Sequence, residues 1–213
     1  MFQRLIPAWL IASSLLLGGC AKMLQCMYGM KKYKVLTKEE IASAAARYKI
    51  PSDALYELDT AYAGYMAKFR QEYTSFTVEN HLHPLQVTYY DKRGAQVSFH
   101  SGVYADAGLF NLRWNFKRQF DYFPPVTEAP IDSIMNFETH LRFVRTLNGN
   151  SPDPAVYRHA SYNVIVHWAR FTGRQSRRLI RVVQKNAKRA RQQPVNYFFV
   201  NTDNLYQNSK PDY

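Results

Sequence analysis

The chain has 213 residues with 28 Lys+Arg against 16 Asp+Glu, a formal net charge of +12, and is 46% hydrophobic and 15% aromatic. That is enough chain to bury one core, and sixteen tyrosines, thirteen phenylalanines and three tryptophans in a 21% charged sequence exclude disorder for most of it. Two cysteines, Cys20 and Cys26, exclude a disulfide-stapled mini-fold and a four-cysteine zinc module.

Arg4 and the start amine form a short positive region, residues 5–17 carry no charge, and Leu17-Gly18-Gly19-Cys20 closes the stretch. An apolar run this short followed by small residues reads as a signal peptide over 1–19, since a bilayer span takes about 20 apolar residues. The four residues ending in Cys20 resemble the lipobox of bacterial lipoproteins, where an aliphatic residue and two small ones precede the acylated cysteine. An uncleaved anchor and an ordinary secretory signal are the alternatives. The resemblance implies a chain that starts at Cys20, carries acyl groups such as palmitate there and is held at the membrane by several chains, where one would be marginal. Ala21 is not the aspartate that retains lipoproteins at the inner membrane. The expected address is therefore the bacterial cell envelope, with the outer membrane favoured over the inner. Residues 20–36 read as a lipidated tether whose Lys22, Lys31, Lys32 and Lys34 are solvated, each gaining about 1 kcal/mol beside an anionic surface. Cys26 has no partner thiol in that chain.

Thr37 followed by Glu40 is a capping box, so the alanine-rich run to Tyr48 predicts a short helix. Past Pro51, Ser52 is the expected cap of a second helix of about 18 residues, with Leu55, Leu58, Tyr62, Tyr65, Met66 and Phe69 on its core face. Residues 37–80 thus read as a helical extension, and 81–213 as the main α/β domain. Residues 85–90, the turn 91–94 and residues 95–100 predict a β-hairpin, with Gly94 supplying the positive φ. Leu109, Leu112, Phe116 and Phe120 recur at helical spacing until Pro124-Pro125. The interleaved Arg113, Trp114, Lys117 and Arg118 have the look of base-stacking beside phosphate contacts, but an exported lipoprotein rarely meets nucleic acid, so none is expected as a partner. Asp132 or Ser133 opens a further expected helix to about Leu147, with Ile134, Phe137, Leu141 and Val144 inward, and residues 148–154 are a loop.

Residues 162–168 predict a strand, 169–175 a turn, 176–191 a helix and 195–201 a strand, which together make a parallel βαβ unit. The run Val166-His-Trp-Ala-Arg-Phe-Thr-Gly-Arg-Gln-Ser-Arg-Arg-Leu179 resembles the active-site segment of thioredoxins, where Trp-Ala-x-Trp precedes Cys-Gly-Pro-Cys. Tyr197-Phe-Phe-Val-Asn-Thr-Asp203 resembles that family's next strand, ending in Val-Asn-x-Asp. The resemblance covers about 45 residues and implies a thioredoxin-like three-layer α/β sandwich, with Trp168, Arg170, Thr172, Gly173, Arg174 and Gln175 as a degenerate active-site turn. Thr172 and Gln175 stand where the redox cysteines belong, and neither can form the thiolate that disulfide exchange requires. What survives there is a turn opening onto a helix start with Arg170 and Arg174 nearby, a candidate anion site beside the plainer reading of a helix cap.

Only twelve residues follow Asn201, too few for the family's closing hairpin and helix. The hairpin at 85–100, preceded by His83-Pro84 with Pro84 as its expected cis-proline, looks like that closing piece. A permuted or atypical order, with the hairpin completing the sheet, is preferred to an N-terminal hairpin on a truncated domain. Pairing of residues 85–90 against 163–168 separates the two. On the crossover helix Arg174, Arg178, Arg181, Lys185, Lys188 and Arg189 fall on one side, opposite Leu179, Val183, Ala187 and Ala190. This basic face is expected to meet solvent and to attract anionic lipid, glycan or an envelope protein. His81-x-His83 beside Glu79 lacks a third well-placed ligand, so no metal is expected, and no cofactor motif appears. The expected function is that of a membrane-anchored, redox-inactive binding or scaffold module and not an enzyme. The alternatives are an oxidoreductase relative working with a partner's cysteines and a structural envelope protein.

Overall fold

The computed structural model describes residues 26–108, 111–191 and 193–206. Its strands are β1 (Leu55–Leu58), β2 (Gln86–Asp91), β3 (Gln96–Ser101), β4 (Asp106–Gly108), β5 (Asn111–Arg113), β6 (Val144–Thr146), β7 (Tyr162–Trp168) and β8 (Val195–Asn201). Its helices from Lys38 onward are α1 (Lys38–Arg47), α2 (Ala61–Ala67), α3 (Ser75–Leu82), α4 (Phe137–Leu141), α5 (Pro154–Tyr157) and α6 (Arg174–Ala187). Six strands form one mixed sheet in the order β3-β2-β7-β8-β1-β6, and β4 and β5 form a separate two-stranded ribbon. The fold class is α/β.

β7 and β8 are parallel, with Ile165 opposite Phe198, and α6 crosses between them. β2 lies antiparallel on the other side of β7, with Val87 opposite Val166 and Tyr90 opposite Asn163. The sheet is covered on both faces, which is why β7 reads as a near-continuous apolar run where a half-buried strand would alternate. Val164, Val166 and Trp168 face α1 and α6 in one core with Ile41, Leu179, Ile180 and Val183. Ile165, Phe198 and Val200 face Tyr62, Met66, Val78 and Phe137 in the other.

The capping box at Thr37 is present: its hydroxyl accepts from Glu40 N, and the Glu40 carboxylate accepts from Thr37 N. Gly94 has φ 79° in the β2–β3 turn, where the Asp91 carboxylate accepts from the amides of Arg93 and Ala95. Three expected helices differ from the sequence reading. In place of one helix from Ser52, residues 52–54 make a single turn and Leu55–Leu58 is a strand held between β8 and β6. Leu55, Tyr56 and Leu58 are buried by those neighbours, and long-range pairing overrides a local helical pattern. The segment 37–80 is therefore not only helical, and it supplies an interior strand. The helix expected over 132–147 is limited to α4, capped by Asn136, after which Val144–Thr146 pairs with β1. The pattern begun at Leu109 gives β5 and turns: Leu109 itself lies outside the described residues, and the Asn115 side chain takes the Phe120 amide at 2.8 Å, a local bond that competes with a helix. Phe116 is accordingly exposed, while Trp114 and Phe120 are buried.

Candidate functional site

The turn between β7 and α6 is closed by its own hydroxyls. Thr172 Oγ1 and Ser176 Oγ each donate to the Ala169 carbonyl, at 2.8 and 2.7 Å, and lie 2.7 Å from each other, while Ser176 Oγ accepts from Ala169 N. Thr172 and Gln175 are both buried. Gln175 Oε1 accepts from Leu112 N at 3.0 Å, and Gln175 Nε2 donates to the Tyr28 carbonyl at 3.1 Å. From below, the buried Asp203 carboxylate accepts from the amides of Arg170 and Phe171 and from Asn201 Nδ2. Burial raises the Asp203 pKa, opposed by those three hydrogen bonds and the Arg170 charge. Trp168 is buried edge-on against Tyr48, with ring centroids 5.5 Å apart, and the Tyr48 hydroxyl donates to the Gly173 carbonyl.

Within the segment expected to be a solvated tether, described residues from Cys26 onward pack on this turn. Lys31 N donates to the Phe171 carbonyl at 2.7 Å, the Arg174 guanidinium donates to the carbonyls of Cys26 and Met27, and Leu36 is buried with its amide on Asn204 Oδ1. Gly173 has φ 53°, and a Cβ there would lie 1.9 Å from the Gly29 oxygen, so conformation and contact both demand glycine. Cys20 and residues 1–19 lie outside the described residues. Among the described residues no helix is long and apolar enough to cross a membrane.

Pro84 is not a cis-proline. The His83–Pro84 bond is trans, with His83 extended at ψ 133° as residues before proline favour, and the cis bond among the described residues is Phe123–Pro124. Pro84 still lies close to the turn: its carbonyl accepts from the hydroxyl of Thr202, whose amide donates to the Trp168 carbonyl. His81 and His83 have separate partners, the Asp132 carboxylate at 2.9 Å and the backbone of Leu85.

Arg178, Arg181 and Lys185 along α6, and Lys188 and Arg189 just past its end, are exposed, while Leu179 and Val183 are buried beneath. Arg174 leaves the stripe to hold residues 26–27, and Arg189 pairs with Asp121 at 3.3 Å. Exposed charges contribute about 0–1 kcal/mol each. Reversing Arg181 and Lys185 to Glu is therefore expected to leave the melting temperature nearly unchanged while weakening binding to anionic vesicles, as cosedimentation at low and physiological salt would measure. A large loss of stability would mean that these side chains pack.

A buried histidine network was not legible in the sequence, because its members come from distant segments. His140 Nε2 lies 2.9 Å from His167 Nε2, and His140 Nδ1 lies 2.8 Å from the Tyr90 hydroxyl. Tyr62 stacks on the His140 ring at 5.7 Å and donates its hydroxyl to the His81 carbonyl. Burial holds His140 well below the usual histidine range, reinforced by His167 and His81, and burial with His81 pushes His167 down to about 3. Both rings are neutral at pH 7. Among the described residues no group of three or more His, Cys, Asp or Glu side chains is arranged to hold a metal ion.

The chain matches no protein-family model, no curated protein and no solved structure.

Proposed function

We propose that this protein is a lipid-anchored, redox-inactive binding module of the bacterial cell envelope, built on a permuted thioredoxin-like core. The observation that carries the reading is the state of Thr172 and Gln175. At the helix start where thioredoxins place their two cysteines, both side chains are buried and hydrogen-bonded, Thr172 to the Ala169 carbonyl within the turn and Gln175 to Leu112 and Tyr28 in neighbouring segments. Neither ionises to a nucleophile, and both act as structural fasteners. The permuted order is supported by the antiparallel pairing of residues 86–91 with 162–167, which sets the hairpin beside the βαβ unit although it comes earlier in the chain.

The anchor is argued from Leu17-Gly18-Gly19-Cys20 and from the short uncharged stretch before it. Expressed at full length in a bacterial host, the protein is expected to incorporate labelled fatty acid and to partition into the detergent phase. Cys20→Ser is expected to abolish both, and the wild-type protein is expected not to reduce insulin above background. Labelling of the Cys20→Ser chain, or insulin reduction by the wild type, would overturn the reading.

A further inference from the structure

Where residues 29–31 cross the start of α6 they complete a small pocket of about 140 Å³ whose lining includes Lys31, Arg47, Tyr48, Gly173, Arg174 and Arg177. Four of its eight lining residues are cationic. Among the described residues none of the four has a carboxylate within ion-pair distance. The nearby acids are already occupied: Glu40 is paired with Lys34, and the buried Asp203 oxygens take the Arg170 and Phe171 amides and Asn201.

The cations are held in place by groups that do not neutralise them. Arg174 is fixed by the carbonyls of Cys26 and Met27, Arg47 Nε donates to the Ser43 carbonyl, and the Arg177 guanidinium lies 5.7 Å from the Tyr48 ring centre. Burial and the charges of Arg170, Arg47 and Arg177 lower the Lys31 pKa, opposed in part by the Asp203 charge, so positive charge is crowded here at a cost that an anion would relieve. Three guanidinium groups and an ammonium around one concavity match an oxyanion bearing several acceptor oxygens. Pockets for drug-sized ligands run to about 300–1,000 Å³, so this one suits a compact group.

We infer that the pocket formed by Lys31, Arg47, Arg174 and Arg177 binds a phosphate group. The phosphate belongs either to a lipid headgroup or to a soluble ligand, and the pocket recognises their shared chemistry. Gly29 is nine residues from Cys20, a reach of at most about 30 Å, so under the lipid-anchored reading the pocket sits close to the headgroup layer.

The test titrates the full-length chain in neutral detergent at constant ionic strength with inorganic phosphate and, separately, with short-chain phosphatidic acid below its micelle concentration. Wild type is expected to bind both saturably. Arg47→Gln with Arg177→Gln, both exposed positions, is expected to weaken binding about tenfold or more through lost charge-assisted contacts, and Lys68→Gln with Arg70→Gln, exposed positions outside both the pocket and the basic face, to change it less than about twofold. Tighter binding of phosphatidic acid than of phosphate, lost in the same pocket variant, assigns the source to a headgroup. Equal binding assigns it to a soluble phosphate. Absence of saturable phosphate binding, or equal losses in the two variants, overturns the pocket. The Cys20→Ser chain is expected to bind phosphate as wild type does, so failure here is distinguishable from failure of the anchor.

Discussion

Acidification from pH 7 to pH 5 is expected to destabilise the fold by about 4 kcal/mol, because two buried imidazoles stay neutral in the folded state while their unfolded counterparts take up protons. The sign follows from the direction of the shifts. His140 and His167 both titrate lower in the folded protein than the ordinary value of 6.5, so their contribution is complete above pH 6.5 and is lost as pH falls through that value toward the folded pKa, about 3 for His167. Each unmatched proton steepens the dependence by about 1.4 kcal/mol per pH unit. His83 and His100, also lowered by burial, act in the same sense, whereas Glu57 and Asp203, raised by burial, act in the opposite one. Urea unfolding at several pH values would read the slope, and for a chain of this size the melting temperature should fall by roughly 8–16 °C. His167→Gln should remove about one proton from the slope below pH 6.5. A melting temperature that is flat from pH 7 to 5 would mean that the network is hydrated and titrates as free histidine does.

Asp203→Ala is expected to cost about 4 kcal/mol and to loosen the β7–α6 turn selectively. The carboxylate is buried and is the acceptor for the Arg170 and Phe171 amides and for Asn201 Nδ2. Removing the acceptor from a buried donor costs about 1–3 kcal/mol; Asn201 is buried, and the half-buried Arg170 and Phe171 amides are backbone groups that cannot turn away. Asp203→Asn keeps one acceptor oxygen and should lose about half as much. Urea titration reads the total, and amide exchange at residues 170 and 171 reads the location, since a general loss of packing would accelerate exchange across the sheet instead. A loss below about 1 kcal/mol would mean that water replaces the carboxylate. Because the pocket stands on this turn, the Asp203→Ala chain should also bind phosphate more weakly.

The elements legible in the sequence were those whose signal is local. Thr37 with Glu40 announced α1 because a capping box needs only a four-residue span, and Gly94 announced the β2–β3 hairpin because its turn demands positive φ. β7, α6 and β8 were visible because a strand buried on both faces is apolar throughout, while a helix lying on a sheet sorts its charges to one side. The sites of Thr172, Gln175 and the exposed basic stripe followed from these elements, and their residue types alone argue against thiol chemistry.

What tertiary structure decided was everything that depends on meeting distant chain. Leu55–Leu58 carries a helical spacing of leucines, yet β8 and β6 offer it backbone partners on both edges, and four residues of local preference are outweighed by that pairing and burial. The run of lysines before Thr37 reads as solvated linker, but the Gly29 backbone fits against Gly173 because Gly173 has no side chain, and that contact brings Lys31 to Arg47, Arg174 and Arg177. Likewise His140 and His167 stand 27 positions apart and meet because α4 lies over the face of β7 from which His167 points. Periodicity encodes which face of an element is buried; it does not encode which face of another element waits there, and both the pocket and the histidine pair are made by such meetings.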